Sequence, residues 1–317
     1  MRAIENDMVA SDWPVEAIAT ELGAARDDWR AAHPRHADVG AAGFPSRRVM
    51  RGVVEDLSAA LFPARLGHDG APPRDEDGFV RRMLASALER LEQQVRLELV
   101  HQRVDPARAR GIVLSFAARL PAIRRALDSD VEAAFAGDPA ARSVDEILLC
   151  YPCVTAILCH RLAHELYRLD VTLVARMIAE IAHSDTAIDI HPGATIGRGF
   201  FIDHGSGVVI GETAVIGERV RLYQAVTLGA RSFPADEDGT LIKGIARHPV
   251  IEDDVVIYAG ATILGRVTIG AGSVIGGNVW LTEGVPPGSV IHQACAERAT
   301  VAATLPAGHV VAEEVRG

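Results

Sequence analysis

With 317 residues, the chain is too long for one small core and about right for two domains. A formal net charge of -10 excludes a non-specific nucleic-acid binder, because neutralising phosphates requires a basic surface, and leaves small-molecule chemistry as the expectation. No stretch reaches the ~18 uncharged apolar residues of a membrane span, and the N-terminal MRAIENDMVASDW lacks the apolar segment of a secretory leader, so neither a membrane partner nor export is expected and the location is read as cytoplasmic.

Hydrophobic residues make up 49% of the chain and aromatics 5%, which calls for an interior of Ala, Val, Ile and Leu, the residues of helices and regular β-stacks. Residues 1–75 read as an N-terminal extension of helices and loops, closed by the Pro-, Gly- and charge-rich FPARLGHDGAPPRDEDG. Residues 76–183 read as an α-helical domain. In it Val80, Leu84, Leu88, Leu91, Val95 and Leu99 step by three or four along one helix face. Asp105-Pro106 has the form of an N-cap followed by Pro at the first helical position, and Ser143 with Glu146 that of a capping box. Cys150, Cys153 and Cys159 cluster in one helical stretch; the Cys-Tyr-Pro-Cys run lacks the βαβ context of a redox site, so these thiols, like Cys295, are read as reduced. His160 and His164 have the i, i+4 spacing of zinc ligands but neither a third ligand nor the Glu of H-E-x-x-H, and are read as helix packing.

From Ile190 the period changes to six. Ile190, Ile196, Ile202, Ile210, Ile216, Leu222, Ile251, Ile257, Ile263, Ile269, Ile275 and Leu281 each precede, by four positions, a second and mostly small residue, among them Ala194, Ser206, Ala214, Ala261 and Ser273, with Phe200 the bulky exception. No α-helix has that period. Hexapeptide repeats specify a parallel β-helix, in which three short strands make one coil of a triangular prism and coils stack about 4.8 Å apart. Residues 184–290 are assigned to it, followed by a tail at 291–317. Two places interrupt the rhythm: the step from Ile202 to Ile210 is eight residues, inside FIDHGSGVVIGE, and residues 229–249 form a polar excursion that leaves the prism and returns at Arg247-His248-Pro249. Trp280 is expected at a corner or a subunit face.

A structural coil has no need of charge, yet Asp189, His191, Asp203 and His204 all fall in the first one. Asp189 and His204 are fifteen residues apart, near the eighteen of a turn, which places them near one corner on adjacent coils. A carboxylate there would orient an imidazole as general base; the alternative is that these groups only satisfy corner turns.

The stretches DIHPGATIGRGFFIDHGSGVVIGET, TLGA, RHP and YAGATILG make the sequence resemble the serine O-acetyltransferases, hexapeptide-repeat acyltransferases that move an acetyl group from acetyl-CoA to L-serine. The resemblance is dense from about residue 138 to 290 and implies an α+β fold class, an N-terminal all-helical domain followed by a C-terminal left-handed parallel β-helix. It implies that His204 is the base and Asp189 its partner, that Asp138 and Asp203 receive the acceptor's ammonium, that Arg247 binds its carboxylate and that His248 assists in positioning the acceptor. Opposite charges at fixed spacing suit a zwitterion, and Arg offers a bidentate fork. Gly229, Ala230, Ala259, Gly260 and Gly277 match positions that line the slot for the pantetheine arm; acetyl-CoA is the expected co-substrate and no metal is expected. The resemblance also implies a homotrimer or a dimer of trimers, with sites at the seams. Relatives bind O-acetylserine sulfhydrylase through a C-terminal Ile; this chain ends VAEEVRG, and no stable complex is expected. L-Homoserine is the alternative acceptor. A γ-type carbonic anhydrase using His191, His204 and His248, or an idle assembly scaffold, are the rival functions.

Overall fold

The computed structural model describes residues 13–33, 43–67 and 74–293. Cys295 and the chain's final VAEEVRG, on which the expectation of no stable sulfhydrylase complex rests, lie outside them. Among the described residues, those up to 124 together with 158–181 form one compact unit, and 125–157 with those from 182 onward form the other. The helical residues 125–157 thus group with the strands, where the sequence reading placed the division at 183/184.

The first unit holds α1 (Val15–Ala32), α2 (Arg47–Leu61), α3 (Pro63–Leu66), α4 (Glu76–His101), α5 (Ala109–Ala117), the later part of α8 (Pro152–Arg168) and most of α9 (Thr172–Thr186). Its core is the face Met50, Val53 and Leu57 of α2 against Leu91, Val95 and Leu99 of α4, all buried, with each fully buried aliphatic contributing roughly 1.5–3 kcal/mol. Leu84 and Leu88, on the same stripe, are only half-buried. Polar side chains inside this unit serve the backbone: Glu98, fully buried, accepts the N–H groups of Leu173 and Val174 at 2.8 Å and so caps α9, and Arg90 pairs with Asp56. Asp105 caps a short 3-10 turn, Pro106–Arg108, ahead of α5. Among the described residues no single helix is long and apolar enough to cross a membrane.

In the second unit the end of α6 (Leu120–Gly137), α7 (Val144–Cys150) and the start of α8 accompany fourteen strands of two or three residues. Ser143 caps α7, accepting the Glu146 N–H at 3.0 Å, while the Glu146 carboxylate reaches back to the N–H of Arg142. The strands form three parallel sheets: β1-β4-β7-β10-β13, β2-β5-β8-β11 and β3-β6-β9-β12-β14, called A, B and C below. Successive coils are therefore β1 to β3 (189–202), β4 to β6 (209–222), β7 to β9 (227–257), β10 to β12 (262–275) and a last one ending in β14 (Val290–Ile291). This is a left-handed parallel β-helix.

Its interior is three aliphatic columns in register: Ile190, Ile210, Leu228 and Ile263 in sheet A, Ile196, Ile216, Ile251 and Ile269 in B, and Ile202, Leu222, Ile257, Ile275 and Ile291 in C. Leu228 and Ile291 extend the repeat beyond the positions read from the sequence. The slot assigned to Ser206 is filled by Val208, which is fully buried while Ser206 is exposed, because the two extra residues of the interruption precede both. Ala194, Ala214, Val220, Val226, Val255, Ala261 and Ser273 occupy the other slots, buried. The outer edge of the first coil is bonded to α6: Gly199 N–H donates to Ser129 Oγ at 3.1 Å and Phe200 N–H to Asp130 Oδ1 at 2.9 Å. Cys153 packs in this layer, and burial pushes its thiol up to about 12, so it stays protonated.

Candidate active site

The interruption at Ile202 to Ile210 is built by two residues. Asp203 N–H bonds to Leu222 O and Tyr223 N–H to Ile257 O, so Asp203 is the ordinary corner residue; Ala225 N–H bonds to Ser206 O, which resumes the ladder. His204 and Gly205 are what lies between. Both have left-handed backbones, φ 58° and 92°, and a Cβ on Gly205 would come within 2.5 Å of Ile188 Cδ1. The bulge turns the His204 side chain outward, 74% exposed, beside the largely enclosed Asp203; His204 Nε2 lies 3.8 Å from Asp203 Oδ1. That is too long for a hydrogen bond and close enough for a protonated imidazole to be attracted.

Asp138, in the turn after α6, stands in the same field. Its Oδ1 accepts the Ala140 N–H at 2.8 Å, and its Oδ2 accepts the hydroxyl of Tyr151. The Tyr151 bond, then the Ala140 bond, with the charges of His204 and Arg221 adding, hold its carboxyl below the ordinary range. In return Asp138 pushes the Tyr151 phenol up to about 12. Tyr151 is a site neighbour that the sequence does not single out: the Cys-Tyr-Pro-Cys run draws attention to its thiols alone.

Asp189 begins β1 and is in register with Val209, five residues past His204, so the two share a corner on successive coils. No hydrogen bond or ion pair joins them within the chain, and the carboxylate within reach of His204 among the described residues is that of Asp203.

Arg247 and His248 occupy a different corner. They precede β8 (Val250–Ile251), where sheet A hands over to sheet B, whereas Asp203 and His204 lie where C hands over to A. Thr213, one coil below, organises the pair: its Oγ1 accepts the N–H groups of Arg247 at 2.9 Å and His248 at 3.2 Å, and its own N–H donates to His248 Nδ1 at 3.0 Å. An accepting Nδ1 leaves the neutral ring its proton on Nε2. His248 is buried, and burial, reinforced by Arg247, holds its pKa below the ordinary value. Arg247 Nη2 pairs with Glu212 at 2.7 Å. The same corner carries the excursion 229–249, whose inner part is a small hairpin with Ala235 bridged to Leu241. Between hairpin and prism lies a cavity of about 340 Å³ bounded by Phe233, Leu241, Lys243, Glu212 and Arg247. Glu212 and Thr213 are the last two residues of DIHPGATIGRGFFIDHGSGVVIGET, and nothing in their local spacing marks them.

The expected slot residues divide in the same way. Ala259, Gly260 and Gly277 stack on the C-to-A corner above His204: Asn278 N–H bonds to Ala259 O at 2.9 Å, and a Cβ on Gly277 would lie 3.2 Å from that oxygen. Tyr223 and Tyr258, stacked with ring centroids 4.9 Å apart, continue the column that Asp203 begins. Gly229 and Ala230 stand at the A-to-B corner. One chain thus carries an acid–base half and a guanidinium half at two corners, and does not bring them together. His160 and His164 pack with ring centroids 5.6 Å apart, and among the described residues no three His, Cys, Asp or Glu side chains are grouped to hold a metal ion. Trp280 opens β13 and is 68% exposed.

Comparison with known proteins follows the same lines. The family described as bacterial transferase hexapeptide (six repeats) matches residues 248–283. The plasmid serine acetyltransferase of Synechococcus elongatus is 57% identical over 262 residues, 79% of this chain and 82% of that protein. The serine acetyltransferase of Bacillus subtilis is 47% identical over 167 residues, 53% of this chain and 73% of the relative. Among solved structures, serine acetyltransferase 1 of Entamoeba histolytica in complex with L-cysteine superposes with a TM-score of 0.68 at 38% identity, covering 76% of this chain and 86% of that one.

Proposed function

The chain belongs to the serine acetyltransferase family, and from that premise we propose how its own residues carry out the transfer of an acetyl group from acetyl-CoA to the hydroxyl of L-serine, giving O-acetyl-L-serine for cysteine biosynthesis. The observation that carries the reading is the two-residue bulge that puts His204 outside the prism beside Asp203 and within the electrostatic reach of Asp138. His204 takes the proton of the serine hydroxyl as that oxygen attacks the thioester carbonyl, and returns it to the departing CoA sulfur. Asp203 stabilises the imidazolium that forms, and Asp189 is the second carboxylate of that corner. Asp138, kept ionised, and Asp203 receive the ammonium group of serine; Arg247 takes the carboxylate, and His248, held neutral, donates from Nε2.

Because the two halves lie at different corners, the reading requires a neighbouring protomer. In a three-fold assembly the C-to-A corner of one protomer faces the A-to-B corner of the next, and each seam joins Asp138, Asp203 and His204 to the neighbour's Arg247 and His248. The slot residues Ala259, Gly260 and Gly277 of one corner would then face Gly229 and Ala230 of the other, along the path from His204 that a pantetheine arm takes. A homotrimer, alone or paired into a hexamer, and a cytoplasmic location complete the proposal.

The test is thiol release from acetyl-CoA with L-serine, L-homoserine or no acceptor, for the wild type and His204→Ala. Serine-dependent release that the substitution abolishes is expected. A higher kcat/KM for homoserine would exchange the acceptors, one methylene being worth only about 1–3 kcal/mol of discrimination.

A further inference from the structure

Asp138 is the residue on which the ammonium end of the proposed site depends, and it sits in an open turn that does not by itself fix a carboxylate. The turn uses one oxygen: Oδ1 accepts the Ala140 N–H at 2.8 Å, an arrangement common wherever an Asp precedes a Pro. The second oxygen would be free to rotate with the side chain. It is met instead by Tyr151, which is delivered from a different part of the backbone. Tyr151 is the residue at which α7 ends, and Pro152 begins α8, so the chain breaks direction there and directs the phenol toward the turn thirteen residues earlier.

We propose that Tyr151 is a positioning residue of the acceptor site, its hydroxyl donating to Asp138 Oδ2 so that the carboxylate presents a fixed edge to the ammonium group of the amino-acid substrate. The inference rests on the reading of Asp138 given above. Two donors, one on each oxygen, leave the carboxylate two further lone-pair directions, and a primary ammonium needs only one or two of them. The phenol oxygen, with its hydrogen directed at Asp138, is itself an acceptor beside them. A serine hydroxyl must reach His204 while its ammonium is held, so an anchor free to swing would be felt chiefly as weaker binding of the acceptor and less as slower chemistry.

The charged and titrating groups that face Asp138 are Tyr151, His204 and Arg221, and those that face Tyr151 are Asp138, Glu146 and Asp203. Of these, the Tyr151 bond is the foremost cause that keeps Asp138 ionised at low pH, so its removal shifts the titration of Asp138 upward.

Tyr151→Phe removes one oxygen and keeps the ring. The expected result is a rise of about ten-fold in KM for L-serine, with much smaller changes in kcat and in KM for acetyl-CoA. In an Asp138→Asn background the same substitution should change KM for serine by less than about two-fold, because its target is gone. An unchanged serine KM overturns the proposal, as does an equal effect in both backgrounds, which would make Tyr151 only a brace of the α7–α8 break. Should the variant lose its fold, Asp138→Asn alone decides: a serine KM within about two-fold of the wild type means that Asp138 does not anchor the ammonium group, and the proposal falls. Absence of serine-dependent thiol release from the wild type would instead sink the functional reading on which this one rests.

Discussion

The first and fourth coils of the prism are made to one template and differ in length at a single corner. From Ile263 through Ile269 and Ile275 to Leu281 each step takes six residues, with no residue inserted in the turns between them. From Ile202 to Ile210 the step takes eight, and the surplus is His204 and Gly205, both left-handed. The aliphatic columns run through both coils without a shift, so the surplus is spent wholly outside the core. A repeat of this kind tolerates extra residues at a corner because neighbouring coils are bonded through their strands. The fold is thus set by what the coils share, and reactivity by where one departs.

The sharpest way to break that separation is to change one member of each class. His204→Ala should lower kcat/KM for serine by about 10²–10⁴-fold while melting within about 2 °C of the wild type, read by thiol release and thermal denaturation. Loss of fold with loss of activity would mean that the bulge is part of the architecture. Ile263→Ala, at a fully buried column position, should do the opposite: destabilise by about 2–5 kcal/mol in denaturant titration and leave the turnover of the folded fraction near wild type.

A third experiment compares the two corners themselves. His204→Ala and Arg247→Ala chains, each inactive, should regain about a quarter of wild-type activity when unfolded and refolded together in equal amounts, since one seam in four then joins two intact halves. No recovery would place both halves of the site in one protomer.

The smallest effect concerns His248. Its folded-state pKa lies below the ordinary value because the ring is buried, so as pH falls through about 6.5 the unfolded chain gains a proton that the folded chain refuses. Stability contributed at this corner is present above that pH and is lost below it, until the folded ring also titrates. Denaturation midpoints between pH 7.5 and 5 should therefore fall more steeply for the wild type than for His248→Gln; parallel slopes would remove His248 from the account.

Periodicity made the prism legible before any coordinate, because a two-residue strand that must bury one aliphatic per six leaves a mark at every coil. The same rule misplaced one slot, at Ser206, since an insertion shifts the register of small residues after it and the count alone does not say which residues are extra. Asp138, Asp203, His204, Arg247 and His248 stood out as charge where a coil needs none. Thr213, Glu212 and Tyr151 did not, for a physical reason: each acts on another side chain, thirteen to thirty-five positions away, and such a bond has no local spacing to betray it. The pairing of Asp189 with His204, read from a spacing of fifteen, is a neighbourhood on successive coils without a bond inside the chain.

The hydrogen bonds from Gly199 to Ser129 and from Phe200 to Asp130 bear on how the molecule breathes. A stack held by nearest-neighbour bonds loosens from its ends, and the amides of a terminal rung exchange first. Here the rung that carries His204 is terminal in the stack, yet its outer amides are already occupied by α6. Deuterium uptake at 199–202 should accordingly lag behind that at 290–291, so that the rung nearest the chemistry is closed against solvent while the far end of the stack opens and closes.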